Sequence, residues 1–317
     1  MKQSAMIRWS NPETILVATN LLEGNNLATH AIDQARHSRA KVLLVHVIPG
    51  PGSMTETSFE IEFRLPESLV RGPKTRLEEI AKKFERDGIE CEPIVLTGIP
   101  EEEIARLVKS RFVDRVIVAD RIASGVARLI AGSVAEELIA TLEVPVCVIG
   151  RRVISQSACG TPFERVLLAT SLDRDSSLLA TFANTFAEFN HSHLTLLHVL
   201  DNAGMSSREW KLARDTARER LFALLPNEAM HRHQPFLLVR EGDPATTILS
   251  EASSMSEDIV ILGSPRPSMT SQLLGSSIAH RVMTESQCPV MTVRLHSSPS
   301  IDEIHKLTGT EAFSTHS

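Results

Sequence analysis

Long apolar runs are missing from this sequence. None approaches the roughly 18 residues that a helix needs to cross a bilayer, which excludes a membrane-spanning helix. The opening residues, MKQSAMIRWSNPE, lack the apolar stretch of a secretory signal. Cysteine is sparse: Cys91, Cys147, Cys159 and Cys288 show no CxxC spacing. Cys147 and Cys288 lie in or beside apolar strand-like runs, where a thiol packs as a small hydrophobe. These features predict a reducing, cytoplasmic setting. No basic segment stands apart either. The 33 Lys and Arg are outweighed by 39 Asp and Glu, and the net charge of −6 divides equally between residues 1–150 and 151–317. A nucleic-acid protein held by phosphate contacts is excluded on that ground. The patterns G-x-x-x-x-G-K-[ST] and G-x-S-x-G are absent, which removes P-loop NTPase and nucleophile-elbow hydrolase readings. Tyrosine is absent as well, and composition supplies no physical reason for it.

What is present is one unit written twice. Short apolar runs occur at 15–18, 42–48, 94–96, 115–119 and 146–149, and again at 166–169, 194–200, 235–239, 259–262 and 290–293. Runs this short and β-branched, apolar on both faces, predict strands of a parallel sheet covered on both sides. Between them the apolar spacing turns helical, as in Leu77, Ile80, Ala81 and Phe84, or Leu178, Phe182, Phe186 and Phe189. Alternating strand and helix predict an α/β chain of two tandem doubly wound parallel five-stranded sheets.

The halves superpose in register. Gly98–Pro100 matches Gly242–Pro244, Asp114 matches Asp258, and Pro145 matches Pro289, all at an offset of 144. ILVATN at 15–20 matches VLLATS at 166–171 at an offset of 151, so the first half has about seven extra residues, assigned to the loop PGPGSMTET. The expected domains are 12–150 and 163–295, joined by a polar linker at 151–162 and followed by a tail at 296–317 with little periodicity.

An open parallel sheet binds its ligand outside the carboxyl ends of the strands, where strand order reverses. The segments concerned follow the first and fourth strands: Thr19-Asn20 and Ala119-Asp120 in the first half, Thr170-Ser171 and Gly263-Ser264 in the second. A glycine there admits a ligand close to the backbone. Gly132-Ser133 opens a helix whose free N–H groups suit an anion.

The strand ends ILVATN and LLVHV, the turns TGIP and EGDP, the run DIVILGS and the GS-helix-PVCVIG segment together resemble the universal stress protein family, over both halves. The resemblance implies the adenine nucleotide alpha hydrolase-like fold in tandem. It also implies that the two fifth strands pair across the halves, so that one chain imitates the family's usual homodimer; such pairing also covers two aggregation-prone edges. The family's nucleotide-binding members carry Asp after strand one and a loop G-x2-G-x9-G-(S/T). Here the Asp is replaced by Asn20 and Ser171, and the loop is split. The first half keeps only its closing Gly132-Ser133, with Ala119 and Ile122 at the earlier glycines. The second keeps Gly263, has Arg266 at the second glycine and reads Ser276-Ser277 at its close, with Gly275 one position early. Arg266 has two readings: a phosphate clamp through its planar fork, or a side chain filling the groove a phosphate needs.

The implied function is a non-catalytic stress-response regulator binding ATP or another adenine nucleotide, mainly in the second half. The site residues are Thr170, Ser171, Gly263, Arg266, Gly275, Ser276 and Ser277. Alternatives are a nucleotide-independent protein-interaction module with vestigial sites, and a slow ATPase. A regulatory protein partner is expected but not identifiable, and further oligomerisation stays open. The repeated His46 and His198 read as packed strand histidines. The pairs His191/His193 and His231/His233 lack a completing ligand set and read as surface residues. Glu101–Glu103 complements a helix start. Asp173 reads either as a helix cap or as a partial substitute for the missing site Asp.

Overall fold

The computed structural model describes residues 2–21, 26–50, 67–119, 134–153, 163–200, 206–226, 229, 234–264 and 278–295. The first half contains α1 (Lys2–Ser10), β1 (Thr14–Ala18), α2 (Asn26–Ser38), β2 (Lys41–Pro49), α3 (Glu67–Arg86), β3 (Cys91–Gly98), α4 (Pro100–Ser110), β4 (Arg115–Ala119), α5 (Val134–Thr141) and β5 (Val146–Ile149). The second half repeats the order from its first strand: β6 (Arg165–Ala169), α6 (Ser176–Asn190), β7 (His193–Leu200), α7 (Ser207–Ala223), β8 (Phe236–Glu241), α8 (Pro244–Ser254), β9 (Ile259–Gly263), α9 (Ile278–Glu285) and β10 (Val290–Val293).

Every apolar run is a strand. β3 starts three residues ahead of its run, through Cys91, Glu92 and Pro93. It is an outermost strand with β2 as its neighbour, and an edge tolerates a proline that has no N–H to offer. The strands form a single ten-stranded sheet in the order β3-β2-β1-β4-β5-β10-β9-β6-β7-β8. All pairings are parallel except β5 with β10, which run antiparallel with Val148 opposite Val290, Cys147 opposite Met291 and Val146 opposite Thr292. The fifth strand of each half thus has the other half as its neighbour.

Successive strand residues point to opposite faces, and both faces are covered. Ile15, Val17, Cys147, Ile149, Met291 and Val293 join one core, closed by Leu77 and Phe84 of α3 and Phe182 and Phe186 of α6. Leu16, Ala18, Val146, Val148 and Val290 join the other, closed by Ile104 of α4, Leu138 of α5, Ile248 of α8 and Val282 of α9. Each core crosses the β5–β10 seam, so the halves share two interiors. Leu77, Ala81 and Phe84 of the α3 stripe are buried and Ile80 is partly buried against them, whereas Phe189, in the last turn of α6, is exposed.

Two repeated features have structural duties. Asp114 Oδ2 accepts from the N–H groups of Glu13 (3.0 Å) and Thr14 (3.1 Å), and Asp258 Oδ2 accepts from the N–H of Arg165 (2.9 Å), so each aspartate fastens the start of its half's first strand. Gly98 and Gly242 turn the chain with φ of +150° and +125°, a region that L side chains rarely adopt.

α1 stands ahead of the repeat and packs on α6 of the second half. Arg115, fully buried at the start of β4, fastens it there. Its guanidinium donates to the carbonyls of Trp9 (2.7 Å) and Ser10 (3.4 Å) and to Gln34 Oε1 (3.1 Å), and lies 5.4 Å from the centre of the Phe186 ring. Burial pushes its pKa down to about 10. Of the expected linker, Arg151–Val153 are described; 154–162, the tail 296–317 and nearly all of the PGPGSMTET loop lie outside the described residues. No described helix is long and apolar enough to cross a membrane.

Candidate functional site

Strand order reverses between β1 and β4 in the first half and between β6 and β9 in the second, and the turns leaving β1 and β6 are built alike. The N–H of Thr19 donates to Val45 O and that of Thr170 to Leu197 O, both at 2.9 Å, extending the sheet by one residue. Each threonine Oγ1 then accepts from the N–H two residues on, Leu21 at 3.1 Å and Leu172 at 3.2 Å. Both leucines adopt left-handed backbone, φ 64° and 59°, a conformation that costs a non-glycine residue on the order of 1 kcal/mol. A histidine braces each turn: His46 Nδ1 lies 2.9 Å from Thr19 O, and His198 Nδ1 lies 2.8 Å from Thr170 O. Since a carbonyl can only accept, each Nδ1 is the protonated nitrogen. The repeated histidines are therefore turn braces.

Beyond this shared turn the second half forms a cavity of about 710 Å³. Its walls are apolar: Leu179 from α6, Ile248 from α8, Ile278 from α9, and Val293 and Leu295 at the end of β10. Its polar end is the β6–α6 turn. There the Thr170 hydroxyl donates to Ser176 Oγ (2.8 Å), which donates to Asp173 Oδ1 (3.0 Å). The N–H of Asp175 reaches the same carboxylate oxygen (3.0 Å), and Ser171 Oγ donates to Oδ2 (2.9 Å). Asp173 thus closes the turn that leads into α6 while lining the cavity. Gly263 and Ser264 complete the rim. A Cβ on Gly263 would rest 3.4 Å from Leu179 Cδ2, ordinary contact, and its φ is not left-handed. The fold itself does not require glycine there; the missing side chain leaves room in the cavity.

Three of the residues expected at the site, Thr170, Ser171 and Gly263, line this cavity together. Arg266, Gly275, Ser276 and Ser277 lie outside the described residues, as do Asp120, Ile122, Gly132 and Ser133 of the first half. The apolar walls were missed by sequence reasoning, because nothing in a helix's own spacing says which of its residues will face a ligand space. Ser176 had a signal: it stands three residues after Asp173 at a helix start. Elsewhere, His191 ends α6 in left-handed backbone, Glu103 pairs with Arg106 at 2.6 Å, and no group of three or more potential metal ligands occurs among the described residues.

The cavity rim also touches the first half. Ser264 Oγ donates to Ile139 O of α5 (2.9 Å), and Arg294, between wall residues Val293 and Leu295, donates to the carbonyls of Ile139 and Ala140. His280 of α9 pairs with Glu136 of α5 at 2.5 Å.

Comparison with known proteins agrees with this architecture. The sequence matches the universal stress protein family over residues 12–150 and 162–294. A universal stress protein of Methanocaldococcus jannaschii is 27% identical over 153 residues, 44% of this chain and 94% of that protein. Among solved structures, a universal stress protein from Archaeoglobus fulgidus superposes with a TM-score of 0.65 at 18% identity, covering 89% of this chain and 96% of the other. A putative universal stress protein from Pseudomonas aeruginosa does so with a TM-score of 0.60 at 16% identity, covering 90% and 94%. With both halves matched in sequence, the chain belongs to the universal stress protein family.

Proposed function

We propose that this chain is a non-catalytic regulator that binds an adenine nucleotide in its second half. The observation that supports this reading most strongly is the 710 Å³ cavity outside the ends of β6 and β9. It combines apolar walls suited to a flat base with one polar end suited to a sugar, the usual composition of a small-molecule site. Gly263 lets a ligand approach the strand end without strain elsewhere in the fold.

The hydroxyls around the cavity favour binding over turnover. Thr170, Ser171, Ser176 and Ser264 donate to one another, to Asp173 or to a backbone carbonyl. His198 has its Nδ1 on Thr170 O, and none of these hydroxyls is paired with its ring. A nucleophile activated by a neighbouring base is the arrangement acyl or phosphoryl chemistry asks for, and the described lining holds none. The reading predicts that denaturing the purified protein releases an adenine nucleotide identifiable by mass spectrometry, and that added ATP is not consumed. Repeated purification without any nucleotide, or an ATPase rate abolished by Asp173→Asn, would contradict it.

A further inference from the structure

We propose that the second-half cavity selects nucleosides and singly charged nucleotides over di- and triphosphates, and that Asp173 sets this preference; the inference rests on reading the cavity as a nucleotide site. A helix start attracts an anion through its free N–H groups and dipole. Immediately ahead of α6, two donors that would face such an anion are already engaged within the chain. The N–H of Asp175 and the hydroxyl of Ser176 both point to Asp173 Oδ1, and Ser171 donates to Oδ2. A ligand phosphate finds those donors taken and meets a carboxylate in their place.

Among the described residues, no cation is paired with that carboxylate. Its hydrogen-bond donors are all neutral. A second acid, Asp175, also lines the cavity, and no Lys or Arg does so among the described residues. Arg220, whose guanidinium donates to Leu172 O in the same turn, is not part of the lining. The first half offers a control within the same chain. There the position matching Asp173, at the offset of 151, is Leu22.

Repulsion between a carboxylate and the nearest ligand charge several ångströms away, at an effective dielectric near 20 and screened by salt, amounts to about tenfold in affinity, and more distant charges add less. A neutral ribose is favoured by the same groups, because its hydroxyls can donate to the carboxylates.

The test is calorimetric titration of the full-length protein with adenosine, cyclic AMP, AMP and ATP, at low and high salt. Adenosine and cyclic AMP are expected to bind at least about tenfold more tightly than ATP. Raising salt should narrow that gap, because it screens a repulsion. Asp173→Asn, which keeps an acceptor for the N–H of Asp175 and removes the charge, should narrow it likewise by about tenfold. ATP as the tightest ligand, weakening with salt and lost in Arg266→Gln, would overturn the inference in favour of a phosphate clamp while leaving the nucleotide site standing. Equal affinities, or a gap insensitive to both salt and Asp173→Asn, would also overturn it. Failure of all four ligands would overturn the nucleotide reading and this inference with it. The salt series on the unmodified protein decides the matter if the variant does not fold.

Discussion

The two halves share a strand order, a threonine-leucine turn and a bracing histidine, then part company at a few matched positions. Arg115 in the first half corresponds to Ile259 in the second, Val113 to Glu257, Ala119 to Gly263, and Gly150 to Arg294. Each exchange moves a duty from one half to the other. The first half invests its buried charge in fastening α1 across the seam. The second keeps a bare strand end and an acid beside a cavity. At the seam, Gly150 lies so close to α9 that a Cβ would sit 2.6 Å from Met283 O. Its counterpart Arg294 instead reaches out to the carbonyls of Ile139 and Ala140. On the proposed reading, the matched positions let one half fasten the fold while the other keeps space for a ligand.

The largest effect is expected at the buried charge. Arg115→Ala opens a cavity and leaves Trp9 O, Ser10 O and Gln34 without their donor, a loss of about 3–5 kcal/mol. Urea denaturation checks this, and limited trypsin digestion should show α1 newly cleaved at Arg8. If stability falls by less than about 1 kcal/mol, the first half does not play the fastening role assigned to it.

Next comes the seam. Gly150→Ala forces a methyl group against a backbone carbonyl, and such overpacking costs about 1–3 kcal/mol. The matching test on the cavity side, Gly263→Ala, meets ordinary van der Waals contact and should change stability by no more than about 0.5 kcal/mol. Thermal melts of the two variants side by side sharpen the comparison. Equal losses would mean that Gly263 is held by the fold after all.

A pH effect separates the halves as well. Burial raises the Glu257 carboxyl to about 7, opposed by the hydrogen bond from Thr195 and by Arg165 and reinforced by Asp258. In the unfolded chain the same group titrates near 4.5. Between these values the folded protein holds the proton more tightly. The stability this provides is therefore complete below about pH 4.5 and lost as pH rises through 7. Glu257→Gln removes the dependence, so the melting temperature of the variant should gain on wild type between pH 5 and pH 8. A difference independent of pH would place Glu257 in a more solvated setting.

Most of the fold was legible because its signal is local: ten short apolar runs at matched offsets became ten strands, and the repeat predicted which strand ends would meet. The site was legible only where the strand ends leave a residue type behind, as at Thr170, whose hydroxyl closes the turn, and Gly263, whose missing side chain leaves room in the cavity. Leu21 and Leu172 in left-handed backbone leave no such trace, since leucine has no preference for that region and is held there by the threonine bond and its surroundings. Arg115 heads an apolar run, and nothing in its own strand announces that α1 covers it. The cavity walls come from four separate elements, and no spacing within one of them announces the others.

The account stands or falls on where a nucleotide binds. Calorimetry with AMP on the intact chain, on Gly263→Asp and on Gly132→Asp measures this directly. The account predicts one site per chain, abolished by Gly263→Asp and kept in Gly132→Asp. Two equivalent sites would show that both halves bind, and binding lost only in Gly132→Asp would show that the first half is the receptor; either contradicts the division of labour between the halves.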